Sequence, residues 1–90
     1  MSELEDEILR LLAQHAGQPV DAVALFMFLN TVAGGNYEDR CSEGDLQAAL
    51  RALLAAGLIE AWHHDRKLDP DAEIALPGDA QWIFRLSPRA

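Results

Sequence analysis

The stretch SEGDLQAALRALLAAGLIEAW, residues 42–62, constrains the fold most, because a capped helix in it leads almost directly into a strand. Ser42 and Asp45 have the spacing of a capping box, with Asp in place of the usual Glu, and apolar residues then recur at helical spacing. Gly57 is a typical helix stop, and an apolar Leu-Ile pair follows it at once. The stretch therefore predicts a helix over 43–56 and a strand over 58–64.

Two further helices are predicted before this unit. Ser2 and Glu5 have capping-box spacing and open an apolar stripe that predicts a first helix over 3–16. Asp21 suits an N-cap, and the run AVALFMFL after it predicts a second helix over 22–32. A helix that is apolar all round is buried on most sides or contacts more than one neighbour, so part of its surface is a candidate interface.

The run QWIFRL near the end alternates in strand fashion and predicts a second strand over 81–86. We expect it to pair with 58–64 as an antiparallel hairpin, joined by a long wing over 65–79 with turn-forming prolines. Ninety residues suffice for a single domain over 1–90. The predicted fold class is α+β, with three helices followed by a two-stranded antiparallel hairpin.

This element order resembles the winged-helix fold of small bacterial regulators. Two packing patterns carry the resemblance: L-x-x-L-L-x-x-G-L-I over 50–59, and the closing LSPR over 86–89, which is similar to their "LTPKG"-type endings. In winged-helix DNA binders the third helix enters the major groove and the wing contacts the backbone or minor groove. The resemblance thus implies a fold, and DNA binding as one function of that fold.

Charge weighs against DNA as the partner. Fifteen Asp and Glu against seven Lys and Arg give a net charge of −8, which repels phosphate at long range. The outward face of the predicted third helix is small and rich in alanine, and only Arg51, with Gln47 at the margin, reaches a base edge. The wing holds five carboxylates against Arg66 and Lys67.

We therefore expect a non-catalytic protein that acts through protein contacts, as a homodimer, a docking module or both. An alanine-rich face lets another chain approach closely, although alanine also simply favours helix. The expected partner-binding surface is Gln47, Ala48, Arg51, Ala52, Ala55, His63 and Arg66. The alternative is a DNA-binding transcription regulator whose contacts are Arg40, Gln47, Arg51, Arg66 and Lys67.

Residue patterns for catalysis, metals and cofactors are missing, so we expect no enzyme, no metal and no cofactor. His63 and His64 are adjacent on a predicted strand and should point to opposite faces. Cys41 and His15 lack the spacing of zinc motifs, and His15 is expected at the core edge with a hydrogen-bond partner. The AGGN stretch over 33–36 lacks the lysine of a phosphate loop.

The chain is expected to be cytoplasmic and free of the membrane. A single cysteine excludes an internal disulfide, the N-terminus lacks a signal-peptide pattern, and the longest apolar run falls far below the roughly 20 residues of a membrane span. Trp62 and Trp82 lie on the two predicted strands, where they are expected to pack in the core or to pair across the hairpin. If the protein has an exposed aromatic patch, it is expected near Phe28, Tyr37 and Trp62.

Overall fold

A computed structural model describes residues 2–15, 17–31, 34–38, 40–74 and 82–88. Within these ranges the chain forms three helices and one antiparallel sheet of four strands, in the order β1-β4-β2-β3. The predicted α+β class and the three helices are confirmed. The elements are α1 (Glu3–Gln14), β1 (Val20–Asp21), α2 (Ala22–Leu29), α3 (Glu43–Ala55), β2 (Ile59–His63), β3 (Arg66–Lys67) and β4 (Trp82–Leu86).

Each helix begins at its predicted cap. The Ser2 hydroxyl accepts from the backbone N–H of Glu5 at 3.2 Å. The Asp21 carboxylate accepts from the N–H of Ala24 at 2.7 Å. At α3 the capping box is reciprocal, with bonds of 3.0 and 3.2 Å between Ser42 and Asp45. These bonds satisfy N–H groups that have no partner inside the helix, so the caps fix where each helix starts.

The helices end earlier than predicted. Helix α1 stops at Gln14 rather than at 16, since the His15 ring lies 2.8 Å from the carbonyl oxygen of Leu11. Helix α2 stops at Leu29 rather than at 32. There the side chains of Asn30 and Thr31 bond carbonyl groups of the last turn, which closes the helix. Helix α3 ends at 55, one residue before the predicted end.

The prediction of a two-stranded hairpin is incomplete. Strands β2 and β4 pair antiparallel as expected, but β1 adds to the far side of β4 and β3 adds to the far side of β2. Each added strand is two residues long and has no alternating pattern to reveal it. His64 and Asp65 have positive φ angles of 52° and 65°, so they end β2 and turn the chain directly into β3.

The predicted wing therefore starts as a tight turn. From the end of β3, residues 68–74 return to the body of the protein, and Ile74 is fully buried. The rest of the predicted wing, 75–79, and the first residue of the predicted strand 81–86 lie outside the described residues. The core draws on every described helix, on strands β1, β2 and β4, and on the 68–74 segment.

Buried Asn30 ties the end of α2 to the start of α3. Its Oδ1 atom accepts from the backbone N–H groups of Arg40 and Cys41 at 2.7 and 2.8 Å. Its Nδ2 atom donates to the carbonyl of Phe26 at 2.9 Å. A buried amide that satisfies backbone groups on two segments fixes both, so Asn30 sets where α2 lies relative to α3.

Candidate functional site

Helix α2 has two apolar faces, and the protein covers only one of them. At about 100° per residue, Leu25 and Leu29 fall on one side, and both are buried. Val23, Met27 and Phe28 fall on the other side and remain 55%, 49% and 46% exposed. An apolar helix is normally enclosed by the fold, so this uncovered face is the most unusual surface among the described residues.

Tyr37 extends the open face beyond the end of α2. It forms an isolated antiparallel bridge with Thr31, whose hydroxyl donates to the Met27 carbonyl at 2.6 Å. Tyr37 is 54% exposed. We name Val23, Met27, Phe28 and Tyr37 the α2 patch. With full side-chain areas of roughly 150–250 Å², half-exposure leaves on the order of 350 Å² of open surface, within the range of patches that are often functional.

The side of the α2 patch nearest α1 is a shallow groove. Phe28 lines it together with Leu11, Arg10 and Arg40, and its volume is about 210 Å³. The His15 ring lies 5.7 Å from the Phe28 ring, centroid to centroid. His15 is half-buried and bonded to its own helix, which confirms its predicted place at the core edge.

The predicted partner-binding face of α3 is exposed but is flanked by the protein's own chain. Ala48, Ala52 and Ala55 are exposed, whereas Gln47 is half-buried. With Arg51 these alanines line a groove of about 340 Å³ whose other wall is residues 70–72. The Arg51 guanidinium donates a hydrogen bond of 3.2 Å to the Glu73 carboxylate across this groove. The face is therefore small and partly engaged by the 68–74 segment.

His63 and Arg66, the two residues of the predicted surface that lie outside α3, do not line that groove. The half-buried His63 ring stacks on Trp82, with centroids 3.9 Å apart and planes 11° apart. Arg66 is exposed on β3, opposite His63 in the register. The groove on α3 is lined by residues 70–72 rather than by His63 or Arg66.

The expectation that the two histidines point to opposite faces is wrong. Their ring centroids lie 4.2 Å apart, because His64 has left the strand for a left-handed conformation. The described residues contain no group of three or more His, Cys, Asp or Glu that could hold a metal ion.

The expected pairing of Trp62 with Trp82 is also wrong. The register sets His63 opposite Trp82 and Trp62 opposite Ile83, so the two tryptophans lie on opposite faces of the sheet. Trp82 belongs to the core. Trp62 is half-buried on the outer face, with the Arg85 guanidinium 5.0 Å from its ring centroid.

Three of the cations proposed for DNA contact already have carboxylate partners. Arg40 pairs with Glu7 and Arg51 with Glu73, each at 3.2 Å. Lys67 pairs with Glu60 at 2.8 Å.

Glu60 lies at the centre of a charge cluster on the outer face of the sheet. It accepts hydrogen bonds from Lys67 and from Arg85, and these hold the pKa of its carboxyl below the ordinary value. A phosphate that approached either cation would have to displace this carboxylate. The cluster therefore lowers the capacity of this face to bind an anion.

The single cysteine is poorly suited to nucleophilic chemistry. Cys41 is buried, and burial raises the pKa of its thiol. The Asn30 amide donates to its sulfur at 3.7 Å, a structural contact. A raised pKa reduces the thiolate fraction, and the thiolate is the nucleophile.

Among the parts of the chain that the structure describes, none of the helices has the length and apolar character needed to cross a membrane. Comparison with known protein families, with curated proteins and with solved structures finds no match to this chain. We therefore base the function on the contacts and exposures of the chain's own residues.

The residues of the α2 patch are not part of the partner-binding surface that was predicted from the sequence. The sequence suggests an interface somewhere on the run 22–29, but a run without polar residues does not reveal which side is covered. Val23 and Met27 are four residues apart, as neighbours on one face must be.

Proposed function

We propose that this chain is a cytoplasmic, non-catalytic domain of winged-helix type that acts by binding protein, with the α2 patch as its main contact surface. Either a homodimer or docking onto a larger partner would use this patch. The observation that carries the proposal is the exposure of Val23, Met27 and Phe28 on a helix whose opposite face is buried. Covering these side chains removes apolar surface from water, which is the dominant favourable term in most protein association.

The α2 patch is favoured over the α3 face because it offers more apolar surface for a partner to bury. Full burial of a Met, Phe or Val side chain contributes about 1.5–3 kcal/mol, whereas alanine has a single methyl group to contribute. The α3 groove is also flanked by the 68–74 segment, and the Arg51–Glu73 pair lies across it. A partner at α3 would have to fit against that segment.

The winged-helix description is supported by two features of the fold. Three helices precede the antiparallel pair of β2 and β4 in the chain. Helix α3 leads into β2 through Gly57, whose φ of 76° is the left-handed value of a typical helix stop. The short strands β1 and β3 add to this arrangement without interrupting it.

DNA binding remains the second candidate and has less support. In helix-turn-helix proteins the helix before the recognition helix crosses the DNA backbone. Here that helix exposes Val23, Met27 and Phe28, which offer no donor to phosphate. Titration of a labelled mixed-sequence duplex at about 50 and about 200 mM salt tests the candidate. Binding at micromolar protein that weakens steeply with salt would favour DNA over protein as the partner.

Affinity capture with two matched variants tests the protein-binding proposal. Met27→Glu and Ala52→Glu each place one carboxylate on an exposed helix position, one on α2 and one on α3. Immobilised wild-type chain and each variant are used to capture proteins from cells that express the chain, including a differently tagged copy of it. We expect Met27→Glu to lose a partner that Ala52→Glu retains. Loss with Ala52→Glu alone would assign the contact to α3 and contradict the proposal.

A further inference from the structure

We propose that the occupant of the α2 patch is a second copy of this chain, with the two α2 helices crossing at a two-fold axis in a weak dimer that salt strengthens. This inference rests on the proposed protein-binding function of the patch and names its partner.

The charge distribution favours a second copy at this patch. From Ala22 to Thr31 the sequence contains no ionisable side chain, although the chain carries a net charge of −8. The charged side chains of Glu7, Arg10 and Arg40 border the patch in the groove beside Phe28, where Arg40 is already paired with Glu7. A partner selected by opposite charge would be drawn to acidic surface, such as the first turn of α1 with Glu3, Glu5 and Asp6. An apolar patch without ionisable residues of its own instead suits contact with another apolar surface, and a second copy of the chain supplies one.

The arrangement of side chains on α2 suits contact with itself. Val23 and Met27 form one row at a spacing of four, and Ala24 and Phe28 form the parallel row beside it. Alanine in the second row leaves room between the larger side chains, so the row from one copy can enter the groove of the other. Packing of such rows from two helices gives the commonest helix crossing, at about 50°. In a two-fold contact the same patch serves both copies.

The area of the patch indicates a weak dimer. Two copies of a patch of about 350 Å² bury on the order of 700 Å² together, less than the 1,200–2,000 Å² of a stable interface. Residues around the patch add to this figure, but the contact stays in the weak or transient class. We therefore expect a dissociation constant of about 10–100 µM.

Salt dependence distinguishes this dimer from one held by ion pairs. Two copies with a charge of −8 repel each other, and salt screens that repulsion. The contact between the patches is apolar and loses nothing to screening. The dimer should therefore tighten by about threefold or more between 50 and 500 mM salt, whereas a contact between opposite charges would weaken.

Sedimentation equilibrium of the purified chain tests the proposal, at about 1–500 µM protein and at about 50 and 500 mM sodium chloride. We expect a reversible monomer–dimer equilibrium that tightens with salt. Met27→Glu should weaken it at least about tenfold, and Ala52→Glu, which adds the same charge, by less than about twofold. Far-UV circular dichroism checks that each variant folds, and Val23→Glu takes the place of Met27→Glu if that variant does not.

Three results would overturn the proposal: a monomer at all concentrations and both salts, a dimer that salt weakens, or a dimer that Ala52→Glu disrupts as strongly as Met27→Glu. If the chain stays monomeric while capture from cells still depends on Met27, the protein-binding function stands and the partner is a different protein. If neither assay depends on Met27, both proposals fail together.

Discussion

Helices α2 and α3 both begin at a polar cap and both expose apolar residues, yet the protein treats the two faces differently. The exposed face of α3 consists largely of alanine and lies beside residues 70–72 of the same chain, with Arg51 paired to Glu73. The exposed face of α2 presents the larger side chains of Val23, Met27 and Phe28, and α1 flanks it on the Phe28 side, where Leu11 and His15 lie. Large apolar side chains left uncovered on a short helix are the basis of our proposal that another chain covers this surface.

The largest expected effect is on stability, and it distinguishes the buried face of α2 from its exposed face. Leu25→Ala should lower the free energy of unfolding by about 2–5 kcal/mol, because it leaves a cavity at a fully buried position. Met27→Ala should change it by less than about 0.5 kcal/mol, since Met27 is half-exposed. Urea unfolding at low protein concentration, where the proposed dimer would dissociate, measures both. A large loss with Met27→Ala would mean that the patch belongs to the core.

Asn30 holds α2 in place beside α3, and its removal should have the next largest effect. Asn30→Ala leaves the backbone N–H groups of Arg40 and Cys41 without their acceptor, which should cost about 2–4 kcal/mol of unfolding free energy. Asn36→Ala is the matched control, because Asn36 is exposed in the same connection. Urea unfolding of both variants gives the comparison. Equal losses would show that Asn30 does not fix the two helices.

A smaller and pH-dependent effect is expected at Glu60. Its bonds from Lys67 and Arg85 lower the pKa of the carboxyl in the folded state. The stabilisation is therefore present above about pH 4.3, the ordinary pKa of glutamate, and is lost as pH falls through the lower folded pKa. Glu60→Gln should be less stable than wild type near pH 7, by less than about 1 kcal/mol because the cluster is partly exposed.

Thermal unfolding of wild type and Glu60→Gln between about pH 7 and pH 3 measures this difference. We expect the two melting temperatures to converge at acid pH. A difference that stays constant across the range would mean that Glu60 acts through packing rather than through its charge.

The smallest expected effect is at the Arg51–Glu73 ion pair beside the exposed face of α3. Arg51→Ala should change the free energy of unfolding by less than about 0.5 kcal/mol, because Arg51 and Glu73 are both exposed. It should also leave dimerisation unchanged. Urea unfolding and sedimentation equilibrium check the two quantities. If this variant strongly weakens the dimer, the contact surface lies on α3 instead.

Helix starts could be predicted from sequence because each depends on a local cap: Ser2, Asp21 and Ser42 each accept from the N–H group three residues away. Helix ends could not, since side chains just past the last turn compete for its carbonyl groups: Asn30 donates to Phe26 and Thr31 donates to Met27. Strands β1 and β3 could not be predicted, because two residues are too few to show the alternation that is typical of a strand. The placement of Trp62 and Trp82 depended on a register that no turn residue revealed.

The contact surface was harder to predict for a related reason. In an amphipathic helix such as α3, the spacing of the apolar residues predicts the buried face, so its exposed alanines could be identified from sequence. Helix α2 is apolar on every side, and which side the protein covers is decided by the packing of other elements. His63 shows the same limit, because its stacking on Trp82 follows from pairing across the sheet.

The central claim is that α2, rather than α3, carries the contact surface, and dilution of an isotope-labelled sample followed by NMR tests it most directly. Amide spectra recorded from about 1 mM down to about 20 µM report which residues change environment as copies separate. We predict concentration-dependent shifts at Val23, Met27, Phe28 and Tyr37, with Ala48, Ala52 and Ala55 unchanged. Shifts confined to the three alanines would contradict the claim.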